Sequence, residues 1–146
     1  MNTERKRLVL ESWQSLANHH DRVATAFYER LFEIAPHGRA LFARTNMEAQ
    51  RVKVIAMLGE IVRNLDQPDE LIPSVGALGR RHVGYGVQDA DYDLVREALL
   101  GAIGAALGDA FTREVRSAWE ETYALTASVM KRAGEPTRTG VADSPA

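Results

Sequence analysis

The sequence predicts an all-α fold, on three observations. Apolar residues recur three and four positions apart along most of the chain, the spacing that lines one face of a helix. No stretch alternates strictly between apolar and polar, and neither Asn-Gly nor Asp-Gly occurs to close a hairpin. The prolines stand at 36, 68, 73, 136 and 145, so the long intervals between them are open to uninterrupted helix. The 146 residues suit one domain with one core and leave no room for a second catalytic domain. Hydrophobic residues at 45% and charged residues at 26% are the balance of a folded globular chain.

Thr3 is the expected cap of a first helix running to about Ala17, with Val9, Trp13 and Leu16 as its buried stripe. Asn18 to Asp21 turn the chain, and Asp21 is placed to cap a second helix striped by Val23, Phe27, Leu31 and Ile34. Pro36 stops it at or before Ala35, because the residue ahead of a proline is driven out of the α region. His37 to Leu41 read as a short turn or helix, and Phe42 opens a loop. Thr45, with Glu48 three residues on, has the capping-box pattern, and the helix it starts reaches about Asn64 with Val54, Leu58, Ile61 and Leu65 inward. Asp66 to Glu70, with Pro68, form a break. The next helix covers about Pro73 to Val83 and puts Val75, Leu78 and His82 on one face; Gly84 and Gly86, which tolerate positive φ, end it. Asp89 or Asp91 caps a helix carrying Tyr92, Val95, Leu99 and Ala102, where Gly101, Gly104 and Gly108 suit a close helix crossing. The last helix covers about Thr112 to Arg132, with Val115, Trp119, Tyr123 and Val129 along it. Residues 1–133 are thus read as the folded domain, and 134–146, rich in Pro, Gly, Thr and Asp, as a disordered tail.

Composition narrows the function classes. Eighteen Lys and Arg against 20 Asp and Glu leave a formal net charge of -2, which gives no electrostatic reason to expect nucleic acid or an anionic membrane as a partner. The absence of cysteine excludes disulfides, thiolate nucleophiles and Cys-based metal sites. No run of about 18 apolar residues could span a bilayer. The N-terminus, MNTERKRLVLESW, has no apolar h-region, so the expected compartment is the cytoplasm.

Four histidines are candidate metal ligands: His19, His20, His37 and His82. The first two fall in a corner and His37 follows a proline, so these three read as surface residues, and none has the i, i+4 spacing of a zinc site. His82 lies one turn after Leu78 on the apolar face of its helix, directly before the glycine-rich helix end. A core histidine bonded to a backbone carbonyl is one reading. The other is a metal ligand: Nδ1–H donates to a carbonyl one turn back, near Leu78, which fixes the tautomer and leaves Nε2 for a metal.

From Ala26-Phe27-Tyr28-Glu29-Arg30-Leu31-Phe32 ahead of a proline, through Arg39-Ala40-Leu41-Phe42, Gln50-Arg51 and the Leu78 to Val87 segment around His82, to Ala118-Trp119 with Tyr123, the chain resembles a globin. The resemblance covers roughly residues 4 to 132 and is similar to single-domain bacterial haemoglobins and to the globin domain of flavohaemoglobins. It implies a helical sandwich enclosing haem b (iron protoporphyrin IX). His82 matches the proximal histidine, the single protein bond to iron. Phe42 matches a phenylalanine packed flat on the haem. Val54, Leu78, Val87, Val95 and Leu99 match apolar pocket positions. Tyr28 and Gln50 match distal residues whose O–H and N–H donors stabilise O₂ in a dry pocket, and Val54 belongs to the same distal side. Gln50 is a poor iron ligand, so an open sixth position is expected, with Lys53 as the side chain that could fill it. Lys53 and Arg81 are also candidates to pair with the haem propionates. Tyr92 matches a tyrosine that supports the proximal histidine, but the acid that accompanies it in this family falls at Gly134, with Glu135 adjacent and past the expected helix end.

Two functions follow from the resemblance. One is reversible O₂ binding for storage, delivery or scavenging, with CO or NO as other ligands. The alternative is NO dioxygenation. No G-x-G-x-x-G fingerprint is present, so that enzyme would need a separate reductase. A haem-free helical module is a third reading, against which His82 stands. The expected assembly is a monomer or weak homodimer; Trp119 and Tyr123 suit core packing and a helix-pair interface equally.

Overall fold

The structure, a computed structural model, describes residues 1–143. Seven α-helices follow in order: α1 Thr3–Ser15, α2 His20–Ile34, α3 Gly38–Leu41, α4 Met47–Arg63, α5 Pro68–Gly84, α6 Asp91–Leu107 and α7 Arg113–Asp143, with a 3-10 turn at Gly108–Ala110 before α7. Among the described residues there is no strand, so the predicted all-α class holds. The closest packing joins α5 to α7 and α2 to α6, while α1 lies on α7 and α4 lies on α2 and α1. No described helix is long and apolar enough to cross a membrane.

Helix starts are where the structure departs from the expected elements. Asn2, not Thr3, caps α1, because its side chain accepts the Arg5 N–H at 2.8 Å. Asn46, not Thr45, caps α4 by accepting the Ala49 N–H at 3.1 Å. Asp21 and Asp91 do not cap; each sits in its helix's first turn, where a carboxylate suits the positive end of the helix dipole. α5 begins at Pro68 rather than Pro73, since a proline in the first turn lacks only an N–H that has no helical partner anyway. Pro73 then lies inside the helix.

The close helix crossing is not at the α6 glycines. Gly101 admits the Arg30 side chain, Gly104 the Phe111 ring, and Gly108 turns the chain at φ +57. The tight approach is at Gly79 of α5, where a Cβ would stand 2.3 Å from the Met130 carbonyl oxygen of α7. Gly134 extends that contact, for a Cβ there would stand 2.6 Å from Val83 Cγ2. α7 therefore continues past the expected end at Arg132 to Asp143, carrying Gly134 buried against α5. Residues 144–146 of the expected tail lie outside the described residues.

The apolar interior divides into two clusters. One gathers Val9, Trp13, Phe27, Tyr28, Leu99, Ile103 and Trp119, with Phe42, Val54, Leu58 and Val95 packed at its margin. The other gathers Ile61, Val75, Tyr92, Ala127 and Met130, with Leu78 and Val87 at its margin. Trp119 is buried and donates to Ser12 Oγ at 2.9 Å, and the Tyr123 hydroxyl donates to the Tyr92 carbonyl at 2.6 Å, so both serve internal packing.

Candidate functional site

The margins of the two clusters define the site. Phe42, Val54, Leu78, Val87 and Val95 are only partly buried, while Leu99 and Tyr92 are buried behind them. Half-covered apolar side chains at these margins are what a flat apolar ligand would cover.

His82 stands near the end of α5. Its Nδ1 donates to the Leu78 carbonyl at 2.8 Å, the bond expected one turn back. Burial and the neighbouring Arg81 charge hold the imidazole below the ordinary histidine pKa, against the Leu78 bond, which acts to raise it. The ring is thus kept neutral, with Nε2 as an available lone pair. The Tyr85 ring lies 6.1 Å away, centroid to centroid.

In the first cluster, Tyr28 of α2 is 5% exposed, and Gln50 of α4 is half-buried. Although 22 residues apart, they meet: the Gln50 amide donates to the Tyr28 hydroxyl oxygen at 3.1 Å. The phenolic oxygen is occupied as an acceptor, and its own proton remains to be donated. Burial raises the Tyr28 pKa, outweighing the Gln50 bond, so the hydroxyl stays protonated at neutral pH. Phe42 stands edge-on to Tyr28 at 5.6 Å and to Phe32 at 5.6 Å. Phe32 was not among the expected site residues; its position four after Tyr28, on the same helix face, was the available signal.

Lys53 and Arg81 are both exposed, and neither forms an ion pair among the described residues. A Cβ at Gly134 would stand 2.6 Å from Val83 Cγ2, so an acid there would have to displace Val83. Glu135 is not past the helix end but on α7, and it lines the same groove of about 520 Å³ as Tyr92, Tyr123 and Lys131. His37 pairs with Asp91 at 2.9 Å, and Asp91 also accepts the Gln88 N–H at 2.8 Å, so the α3 corner is tied to the segment after His82.

Among the described residues, no three His, Cys, Asp or Glu side chains gather as a metal site. A metal on His82 Nε2 would take its remaining ligands from a carrier such as a porphyrin. The single neutral imidazole, the apolar walls and the buried donor pair fit a haem.

A protein-family model described as Globin matches residues 25–130. The chain is 37% identical over 129 residues to a flavohemoprotein of Xylella fastidiosa, covering 86% of this chain and 32% of that protein. It spans about a third of that relative's length. It is 31% identical to an anaerobic nitrite reductase of Oryza sativa subsp. indica, over 86% of this chain and 90% of that one. Among solved structures, an engineered carbene transferase from Rhodothermus marinus, assigned as a nitric oxide dioxygenase, superposes with a TM-score of 0.87 at 29% identity, covering 97% and 99% of the two chains.

Proposed function

The chain belongs to the globin family, and from that premise we infer that it holds a b-type haem on His82 and binds O₂ reversibly. The observations that carry this reading are a neutral His82, its tautomer fixed by Leu78, and the Gln50–Tyr28 donor pair. A bound haem would supply an iron that takes up a diatomic gas.

The chain's own residues do the rest. Leu78 holds the His82 ring in one orientation, so the proximal bond needs no reorganisation. Phe42 would cover one haem face, and Val54, Leu78, Val87, Val95 and Leu99 would exclude water from it. Gln50 fixes the Tyr28 oxygen, so the Tyr28 hydroxyl proton would be free to donate to a bound gas. Lys53 and Arg81, both exposed, are the cations that would pair with the haem propionates. The Gln50 amide is a poor iron ligand and would leave the distal position open for the gas.

The likeness to flavohemoproteins favours a second reading, oxidation of NO to nitrate, in which NO, O₂ and one electron give NO₃⁻. The electron would come from a separate reductase. Repeated cycles of air and argon on the ferrous, haem-loaded protein test the first reading: the spectrum should switch fully each time. NO consumption measured with and without a reductant tests the second; consumption that stops after one equivalent despite the reductant would remove it.

A further inference from the structure

Three rings meet at the Tyr28 end of the site. Tyr28 lies 5.6 Å from Phe42, Phe42 lies 5.6 Å from Phe32, and Phe32 lies 6.0 Å from Tyr28, centroid to centroid. Two of the three already have a task, Tyr28 as the donor and Phe42 as the cover for a haem. Phe32 has none, yet it is in contact with both. It stands one helical turn after Tyr28 on α2, where side chains four apart lie one above the other. Its contact with Phe42 is edge-on, the arrangement that aromatic quadrupoles favour. The ring is only half-buried, and α3 closes it off. The Arg39 guanidinium lies over it, 5.6 Å from the centroid, drawn to the negative face of the ring. A Cβ on the buried Gly38 would stand 3.9 Å from Phe32 Cδ1, so the α3 backbone backs the ring as well.

The hydrogen bond from Gln50 fixes where the Tyr28 oxygen is, not where its O–H points. A phenolic proton lies in the plane of its ring, because the oxygen lone pair is conjugated with the ring. The tilt of the Tyr28 ring therefore decides the direction of the donor, and a hydrogen bond weakens steeply as its donor turns away from the acceptor. That tilt is set by the rings packed on Tyr28: Phe27, Phe42 and Phe32. We propose that Phe32, braced by Arg39, is a positioning residue that sets the tilt of the Tyr28 ring and, through it, the discrimination between O₂ and CO. The inference rests on the distal reading of Tyr28 above. Bound O₂ carries negative charge and accepts the proton strongly, whereas CO carries little and accepts it weakly. A misdirected donor thus costs O₂ retention and leaves CO retention almost untouched.

A double-mutant cycle of Phe32→Leu and Tyr28→Phe in the haem-loaded protein tests this. Phe32→Leu should speed O₂ dissociation about threefold to fivefold in the wild-type background and add nothing in Tyr28→Phe protein. CO dissociation should stay close to wild type in all three variants. In the CO adduct, the C–O stretching frequency should rise in Phe32→Leu, as it does when the donor is removed in Tyr28→Phe, and the double variant should match Tyr28→Phe. Arg39→Ala, which changes only an exposed side chain, should move both readouts the same way by less, and Arg39→Lys, which keeps a cation for the ring, should bring them back. In the haem-free protein the Tyr28 ring signals, assigned by their absence from Tyr28→Phe, should broaden in Phe32→Leu. Ile34→Ala, at an exposed position on the same helix outside the three rings, should change none of these. Equal acceleration of O₂ dissociation by Phe32→Leu with and without the Tyr28 hydroxyl would overturn the proposal, because Phe32 would then act through Phe42 alone. So would an unchanged C–O frequency in both Phe32→Leu and Arg39→Ala. A Tyr28→Phe variant with the wild-type O₂ off-rate would sink the distal reading and the proposal with it. A fast Tyr28→Phe beside an unchanged Phe32→Leu would sink the proposal alone.

Discussion

A phenylalanine at position 28 would keep the ring that packs on Phe27 and Phe42 and lose one proton. That proton is worth about 1 to 1.5 kcal/mol as a hydrogen bond, so Tyr28→Phe should speed O₂ dissociation about tenfold. Gln50→Leu removes the donor that fixes the Tyr28 oxygen and should act in the same direction with a smaller effect. Laser photolysis or ligand displacement measures both; unchanged off-rates in the two variants would remove the distal assignment. How far these residues were legible differs. The His82–Leu78 bond was readable from spacing, because the partner lies one helical turn away. The Tyr28–Gln50 bond joins two helices 22 residues apart, and only the family resemblance could anticipate it. Phe32 stayed hidden, since an aromatic on a helix face reads as plain core until its neighbours are placed.

Between elements, packing and capping decided what sequence pattern left open. Caps moved by one residue at Asn2 and Asn46 because adjacent residues competed for the same N–H groups, and the side chain that reached it won. The α5–α7 crossing depends on Gly79, three residues before His82, and no periodicity marks a residue whose role is to lack a side chain. Gly79→Ala should lower the Tm of the protein, by an amount matching about 1–3 kcal/mol of overpacking, and loosen the segment holding His82. Gly84→Ala, where a Cβ meets nothing within 4 Å, should leave the Tm unchanged or raise it. Differential scanning calorimetry distinguishes the pair. Asp91 supplies a pH test at this scale. Burial acts to raise its carboxyl, but the Gln88 N–H and His37 outweigh that and hold its pKa low. Its folded value therefore lies below the unfolded one, near ~4, so its stabilisation is complete above that pH and is lost as pH falls through the folded pKa. Asp91→Asn should be less stable than wild type at pH 7, with the gap narrowing as acid titrates the wild-type carboxyl. A gap that persists unchanged into strong acid would contradict this.

For the molecule as a whole, the all-α class was written in the spacing of apolar residues, but the division of the interior was not. Seven helices could have closed on one core; instead the buried residues gather in two clusters that share Leu65 and Tyr123 at their margins, with Tyr28, the partner of Gln50, in the first. The half-covered apolar side chains at their margins are what a bound haem would cover. The most direct test is the absorption spectrum of haem-reconstituted His82→Gly beside wild type. Wild type should show a stable, five-coordinate ferrous spectrum, and the variant should lose it and regain it when imidazole is added. A variant that holds haem with the wild-type spectrum in the absence of imidazole would contradict the account at its centre.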